Sequence, residues 1–328
     1  RAAVNLQLDW PLNRSLRQVL GGNLSVESDY VSLGGNTSFA KDINNRLTTL
    51  TLDVGLNVDR IIPSGGAPVG MSPMFAGAIP QVIPPAGGEN ENENENEDED
   101  GEGAELGEGK ATGEILLGVT QVINRRTLMQ FNLGIGKSSG YLTDPYKVVS
   151  YVQTNPNATE PLGQPVNYYY EKRPDSRSSS SLFWKTVYHF NKDVMHISNR
   201  YFWDDWNIKS HTVDLQYRFE LSDKQYFAPH VRFYQQSAAD FYQHFLRNDQ
   251  SIPAHASADY RLGDLNTMTV GLKYAFNVDR NSQFSFRVEM MRQSGDSHPS
   301  NALGILTSQD LYPDVNVVIG QLSYQLKF

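Results

Sequence analysis

The fifteen residues Asp314-Val-Asn-Val-Val-Ile-Gly-Gln-Leu-Ser-Tyr-Gln-Leu-Lys-Phe328 decide how the rest of the chain is read. Val318, Leu322, Tyr324, Leu326 and Phe328 share one parity, while Gln321, Ser323, Gln325 and Lys327 take the other. A period of two with one oily side is the mark of a strand apolar on a single face. Its pairing partner is expected elsewhere in the chain.

The same alternation recurs upstream. Val4, Leu6, Leu8 and Trp10 alternate with Asn5, Gln7 and Asp9, and Leu50, Leu52, Val54, Leu56 and Val58 with Thr51, Asp53, Gly55, Asn57 and Asp59. Met129 to Ile135, Val213 to Phe219, Met268 to Phe276 and Phe284 to Met290 repeat it. About thirteen strands are expected, at roughly 3–10, 17–28, 35–43, 46–60, 111–123, 127–137, 180–190, 194–206, 209–220, 225–236, 265–277, 283–292 and 314–328. The ending, apolar residues alternating back from a final Phe, resembles the closing strand of bacterial outer-membrane β-barrels. The expected fold is therefore all-β, a transmembrane antiparallel up-and-down β-barrel forming one domain over 1–328.

Composition agrees with that class. Hydrophobic residues are only 39% of the 328, yet aromatics reach 11%, with 17 Tyr; mean hydropathy is -0.47. A barrel can be polar on average because only alternate residues meet lipid. No apolar run is long enough for a transmembrane helix. The absence of Cys removes disulfides and thiolate metal sites. The net charge of -9 is local: eleven acidic residues fall between Glu89 and Glu108, and without them the remainder is near +2. The whole connection 61–110, Pro- and Gly-punctuated and then acidic, is expected to be a mobile extracellular loop.

Short connections at 11–15, 44–45, 124–126, 191–193, 222–224 and 278–282 alternate with longer or richer ones. Outer-membrane barrels keep short turns in the periplasm and long loops outside. Loop length thus predicts a Gram-negative outer-membrane location, a periplasmic carboxy terminus and extracellular long loops. With the last strand descending, strand 3–10 descends too. An even-stranded barrel then requires an ascending strand before Arg1, fourteen in all.

The polar parity is expected to line the lumen with Asp53, Glu114, Lys185, His189, His196, Arg200, Asp204, Asp214, Arg218, His230, Arg232, Lys273, Arg287 and Glu289. So many charges require a wet or paired interior. A three-residue turn between Leu221 and Gln225 places Asp214 opposite Arg232, within reach of an ion pair. A two-residue turn between Asn191 and Val194 sets His189 opposite His196, as lumen hydrogen-bonding residues or as ligands for a metal or a haem edge.

At the other end, Leu142–Lys147, Tyr170–Arg177, Trp203–Trp206, Gln236–Tyr242 and Ser257–Gly263 converge on one rim. Asp144, Tyr146, Lys147, Arg173, Asp175, Arg177, Asp204, Asp205, Asp240, Asp259 and Arg261 are its candidate residues, either as a salt-bridge and aromatic mesh folding loops over the mouth or as a ligand site. Tyr201, Trp203 and Trp206 are expected in an outer aromatic belt.

The succession LTDPYK (142–147), YEKRPDSR (170–177), YFWDDWNIKSHTVDLQYRF (201–219), FYQQSAADFYQ (233–243) and SADYRLG (257–263) resembles a family of bacterial outer-membrane barrels catalogued as a domain of unknown function. The likeness spans essentially the whole chain, although the acidic repeat departs from it. It implies genomic neighbours that include a small lipoprotein, a thioredoxin-like protein and a flavin transferase, and hence redox traffic across the envelope.

Three functions follow as expectations. A porin-like channel or transporter would take its selectivity from Arg200, Arg218, Arg232 and Arg287 wherever Asp204, Asp214 and Glu289 leave them free. A sheath or scaffold would hold a redox partner in extracellular electron transfer; lacking Cys, the chain itself would attach no haem covalently, so haem or flavin would belong to the partner. A surface hydrolase would use Asp204 and Asp205 near His211, with Asp240 and His244. No intrinsic cofactor, catalytic set or metal site is assigned. Lipid is the expected partner, with a small lipoprotein or redox protein possible and no nucleic acid, since phosphate-binding glycine loops, zinc spacings and basic patches are absent.

Overall fold

A computed structural model describes residues 1–75, 107–279, 281–312 and 314–326. In chain order the strands are β1 (Ala2–Pro11), β2 (Leu16–Val26), β3 (Tyr30–Ile43), β4 (Thr48–Ile61), β5 (Glu108–Asn124), β6 (Thr127–Gly140), β7 (Val148–Val152), β8 (Pro165–Tyr170), β9 (Ser176–His189), β10 (Val194–Asp204), β11 (Lys209–Ser222), β12 (Gln225–Gln236), β13 (Leu246–Arg247), β14 (Leu265–Asn277), β15 (Ser282–Gly295) and β16 (Val315–Leu326). Thirteen of them form one antiparallel sheet in sequence order, skipping β7, β8 and β13. Those thirteen are the strands expected from alternation, with ends moved by a few residues. Among the described residues β1 and β16 are the two edges of this sheet and do not pair with each other. Lys327 and Phe328, and the acidic repeat as far as Leu106, lie outside the described residues.

The sheet follows from its two faces. Register matches apolar to apolar on one side: Leu24 with Leu33 and Val58, Leu52 with Leu117 and Leu133, and Val270 with Met290 and Val318. These side chains look outward, with Leu56 68% and Leu322 75% exposed. An apolar surface of this extent, on a meander of strands polar on the other side, is the architecture of a transmembrane barrel wall. A belt of aromatic contacts closes its lower margin, running Tyr188–Phe190–Tyr217–Phe219–Phe227 and Tyr274–Phe276–Phe284–Tyr324.

Short turns join one end of the wall. Asn13, Asn124 and Asp279 each accept backbone N–H bonds from residues two on, Ser15 (2.9 Å), Arg126 (2.8 Å) and Asn281 (2.7 Å). Asx turns of this kind are why Asn and Asp recur where strands reverse. Asn44, Asn45 and Arg46 take the left-handed conformation between β3 and β4.

The opposite end carries a cap built from long connections. Here β7 pairs antiparallel with β8 and parallel with β13. These three strands were not anticipated. The connection expected to be mobile over 61–110 divides: Met71 and Met74 donate to Tyr170 (2.9 Å) and Tyr168 (2.7 Å), so its first part edges β8, while 76–106 lie outside the described residues. Three of the four buried apolar clusters among the described residues sit in the cap: Trp206, Ile208, Ala239, Phe241 and Leu262; Val149, Tyr169, Leu246 and Ala256; Val152, Phe245 and Leu306; the fourth, small one, Tyr226, Ala228 and Ala275, lies on β12 and β14 near the short turns. Trp206, expected in the outer belt with Tyr201 and Trp203, is instead 5% exposed within the first cluster, its indole N–H bonded to Ser176 O at 2.9 Å. Tyr201 and Trp203 do stack on the outer face, 5.6 Å apart.

Candidate functional site

The inner faces of β9 to β15 hold most of the charged lumen candidates, with Asp53 on β4 and Glu114 on β5. On the row Ser198–Asp214–Arg232, register sets Asp214 directly across from Arg232, as anticipated. The turn differs: Ser222 pairs with Gln225, and a bulge between Glu220 and Ser222 restores the same register above it. The ion pair differs too, because the Asp214 carboxylate turns to His230, Oδ2 to Nε2 2.9 Å, leaving Arg232 aside.

His230 Nδ1 lies 2.9 Å from Glu289 Oε1, two strands away on β15. Such a reach crosses β14, and the residue in between is Gly271, paired with His230 on one side and Glu289 on the other. A Cβ there would sit 2.6 Å from Glu289 Cγ. The bare backbone lets the glutamate side chain lie across the strand. Arg287 Nη1 stands 3.6 Å from the same carboxylate and its Nη2 donates to Gln321 at 2.7 Å.

The remaining lumen candidates fall into paired and unpaired groups. Arg218 stacks on Tyr226 at 3.9 Å and meets Glu220 at 2.5 Å, while Lys273 approaches the same ring at 5.9 Å. Lys185 pairs in register with Ser198. Arg200 and Arg232 line a cavity of about 800 Å³ with Ser198, Phe202, Thr212, Asp214 and Tyr234, and among the described residues no carboxylate comes within ion-pair distance of either. Asp53 and Glu114 border a neighbouring cavity of about 340 Å³, which Arg200 also reaches.

His189 and His196 do not face each other. Phe190 to Asp193 form a four-residue turn closed by Phe190 N–H to Asp193 O at 2.9 Å, which pairs His189 with Val194 and His196 with Val187. His189 bonds the Phe190 carbonyl instead. Among the described residues no three His, Asp or Glu converge as metal ligands.

At the cap, four rim candidates and two further residues make one network. Glu171 and Asp259 are each 1% exposed. Arg173 bridges them, Nε 2.7 Å from Glu171 Oε1, off the N–H axis and so an ion contact, and Nη2 2.8 Å from Asp259 Oδ2. Arg261 chelates Asp259 through Nε and Nη2 and reaches Asp144 at 2.9 Å. Asp144 N–H donates to Glu171 at 2.8 Å, and the fully buried Ser257 hydroxyl donates to the other Glu171 oxygen. Burial alone would raise the Asp259 carboxyl, but the Arg261 hydrogen bonds and the Arg173 charge outweigh it and hold the group below the usual carboxylate range. Tyr141, whose buried hydroxyl finds no partner among the described residues, is pushed up to about 12 by burial and then by Glu108, Glu171 and Asp144.

The other rim candidates are spread around this clamp. Arg177 binds Asp204 (2.7 Å) and lies on Trp206 at 4.6 Å; Asp204 in turn caps the Trp206 and Ile208 N–H groups. Asp205 accepts from Ser178 N, Asp240 from Asn207, and Tyr146 donates to Asp29. Lys147 stands over Tyr260 at 5.8 Å, and Asp175 is exposed. His211 bonds Asn199 and His244 bonds the Asp296 carbonyl, so neither is brought to Asp204, Asp205 or Asp240. Glu171, Ser257, Gly271 and the lower aromatic belt were missed; aromatics on the outward parity beside the turns at 190–193, 222–224 and 278–281 were the signal for the last.

Comparison with solved structures finds CdiB from Acinetobacter baumannii at 15% identity and TM-score 0.48, covering 99% of this chain and 50% of that one. The siderophore receptor PirA from Acinetobacter baumannii follows at 10% identity and TM-score 0.45, with 99% and 55% covered. A Pseudomonas aeruginosa FadL homologue gives 11% identity and TM-score 0.41, with 98% and 75% covered. The chain spans about half the length of CdiB and PirA. No curated protein matches the sequence. Residues 1–326 match the family described as "Protein of unknown function (DUF3570)", and the chain belongs to that family.

Proposed function

We propose that this outer-membrane barrel is a channel or transporter whose lumen favours small anionic solutes, with the short turns in the periplasm and the cap facing out. One observation carries the reading: Arg200 and Arg232 line a cavity of about 800 Å³ with no carboxylate in ion-pair reach among the described residues. Of the acidic groups nearby, Asp204 is held by Arg177 and Asp214 and Glu289 by His230, while Asp53 and Glu114, on the neighbouring cavity that Arg200 also reaches, stand beyond ion-pair distance of it. A guanidinium left free in a wet lumen attracts anions and repels cations, which is how charged rings set selectivity.

The cap shapes access. Ile208 and Phe202 belong both to a cap cluster and to the cavity lining, and Tyr260 and Arg261 of the cap share a further cavity with His230 and Arg232. A solute therefore passes the cap before it meets the arginines. Planar bilayers under a KCl gradient test the reading: the wild type should reverse at an anion-preferring potential, and Arg200→Glu with Arg232→Glu should move that potential toward cation preference. No conductance, or an unmoved potential, overturns it.

A further inference from the structure

His230 sits between two carboxylates in a way a neutral ring cannot satisfy. Nε2 is 2.9 Å from Asp214 and Nδ1 is 2.9 Å from Glu289. Neutral imidazole offers one N–H and one lone pair, so one carboxylate would face a lone pair; only imidazolium donates on both sides. The two acceptors are not equivalent. Glu289 lies across Gly271, 9% exposed, with Arg287 behind it, whereas Asp214 has a second claimant, Arg232, directly opposite in register.

Building on the anion-lumen reading, we infer that His230 is a proton-operated selector: protonated, it holds both carboxylates and leaves Arg232 available to solute; deprotonated, it keeps Glu289 and releases Asp214 to Arg232. The proton leaves Nε2 for lumen water, and the group of His230, Asp214, Glu289 and Arg232 goes from neutral to one net negative charge. Anion preference therefore falls as pH rises. Other charged and titratable groups lie around the ring: Lys273 on β14 and Arg287 on β15 are paired in register one step from Gly271 and Glu289, Arg218 on β11 stands two residues from Gln216, and Arg261 and Tyr260 of the cap share a cavity with His230. Beyond β11, His196 pairs with Gln216, the residue opposite His230. Histidine is the side chain that ordinarily changes charge between about pH 5 and 8, so His196 is the control.

Reversal potentials of the full chain in planar bilayers, taken from pH 5 to 8, read the selector. The wild-type anion-to-cation permeability ratio should drop by roughly tenfold, since a unit charge about 5 Å from a passing ion in water changes anion and cation about fourfold each, in opposite senses. His230→Asn should flatten the profile and His196→Asn should keep it. A flat wild-type profile, or a slope that survives in His230→Asn, overturns the selector while leaving the anion reading standing if Arg232→Glu still shifts the potential. Where no current is seen, which sinks the anion reading, histidine ring NMR in detergent micelles decides separately. The His230 midpoint should fall in Asp214→Asn, and an unmoved midpoint overturns the inference.

Discussion

The wall and the cap bury opposite things. In the wall, leucine and valine face outward and the charges line the inner face, as with Leu272 50% exposed beside half-buried Lys273 on β14. In the cap the order reverses: Val149, Val152 and Tyr169 have almost no exposure, and the charges buried with them, Glu171 and Asp259, are fully partnered. Solvent explains the difference. A transmembrane wall strand has an apolar face and a polar one, so a charge on its inner face can be met by lumen water, as barrel interiors allow, or by a partner, as Glu289 is by His230 and Asp59 by Lys110. A cap strand has protein on both sides, where an unpaired charge is prohibitive. One chain thus folds by two rules, and the rows of the wall supply the ledge on which the cap is packed.

The largest expected effect tests the cap rule. Asp259→Leu strands Arg173 and Arg261 without their shared carboxylate, and losing one partner of a buried pair costs about 3–5 kcal/mol. Limited proteolysis should then cut within 141–175 and 237–264 while the heat-modifiable migration of the folded wall on gels is retained. Unchanged cleavage would remove the clamp from the account, and joint collapse would erase the distinction between wall and cap.

The wall rule is tested on two adjacent residues. Leu272→Arg places a charge against lipid, at about 2–4 kcal/mol near mid-membrane. Lys273→Ser, one residue along and facing water, should stay within about 0.5 kcal/mol. Urea unfolding in lipid vesicles measures both. Equal costs would mean the outward face is not in lipid.

How much of this was legible follows from the same contrast. Met268, Val270, Leu272, Tyr274 and Phe276 announce β14 because two solvents impose a period of two, and the thirteen wall strands were readable for that reason. Val148-Val-Ser-Tyr-Val152 is covered on both faces and carries no alternation, so β7 was not found; β13, two residues long, has no period to read. Rows could be counted, which gave Asp214 opposite Arg232. The carboxylate's choice of His230 could not, because it depends on a gap at Gly271 two strands over. The His189 and His196 pairing failed on turn length alone, since four residues from Phe190 to Asp193 slide the register by two.

Acid should separate the regions again, by a smaller effect. With the folded Asp259 carboxyl held below its unfolded value, its stabilisation is complete above the unfolded value, near 3.8, and is lost as pH falls through the folded one. Pepsin cleavage of the cap should therefore accelerate as pH drops below about 4, beyond the enzyme's own pH dependence on an unfolded substrate. Asp259→Asn, already without the charge, should lose that acceleration. A wild-type cap cut at the same relative rate across this range would show that the clamp is not sustained by ionisation.

The smallest effect compares one substitution in both settings. Phe276 stacks on Phe284 at 5.8 Å in the outward belt, and Phe241 meets Trp206 edge-on at 5.1 Å in the cap core. Phe276→Leu should lose only the energy of its ring contacts with Tyr274 and Phe284, about 0.5–1.5 kcal/mol for each, because lipid flows into the vacated space. Phe241→Leu loses its pair and also leaves a void that rigid neighbours cannot fill, adding about 24 cal/mol for each Å³ of residual cavity. Unfolding midpoints for the first and cap proteolysis rates for the second give the two costs. If Phe276→Leu proves the dearer, the belt is packed like a core, and the outward face meets a protein surface in place of fluid lipid.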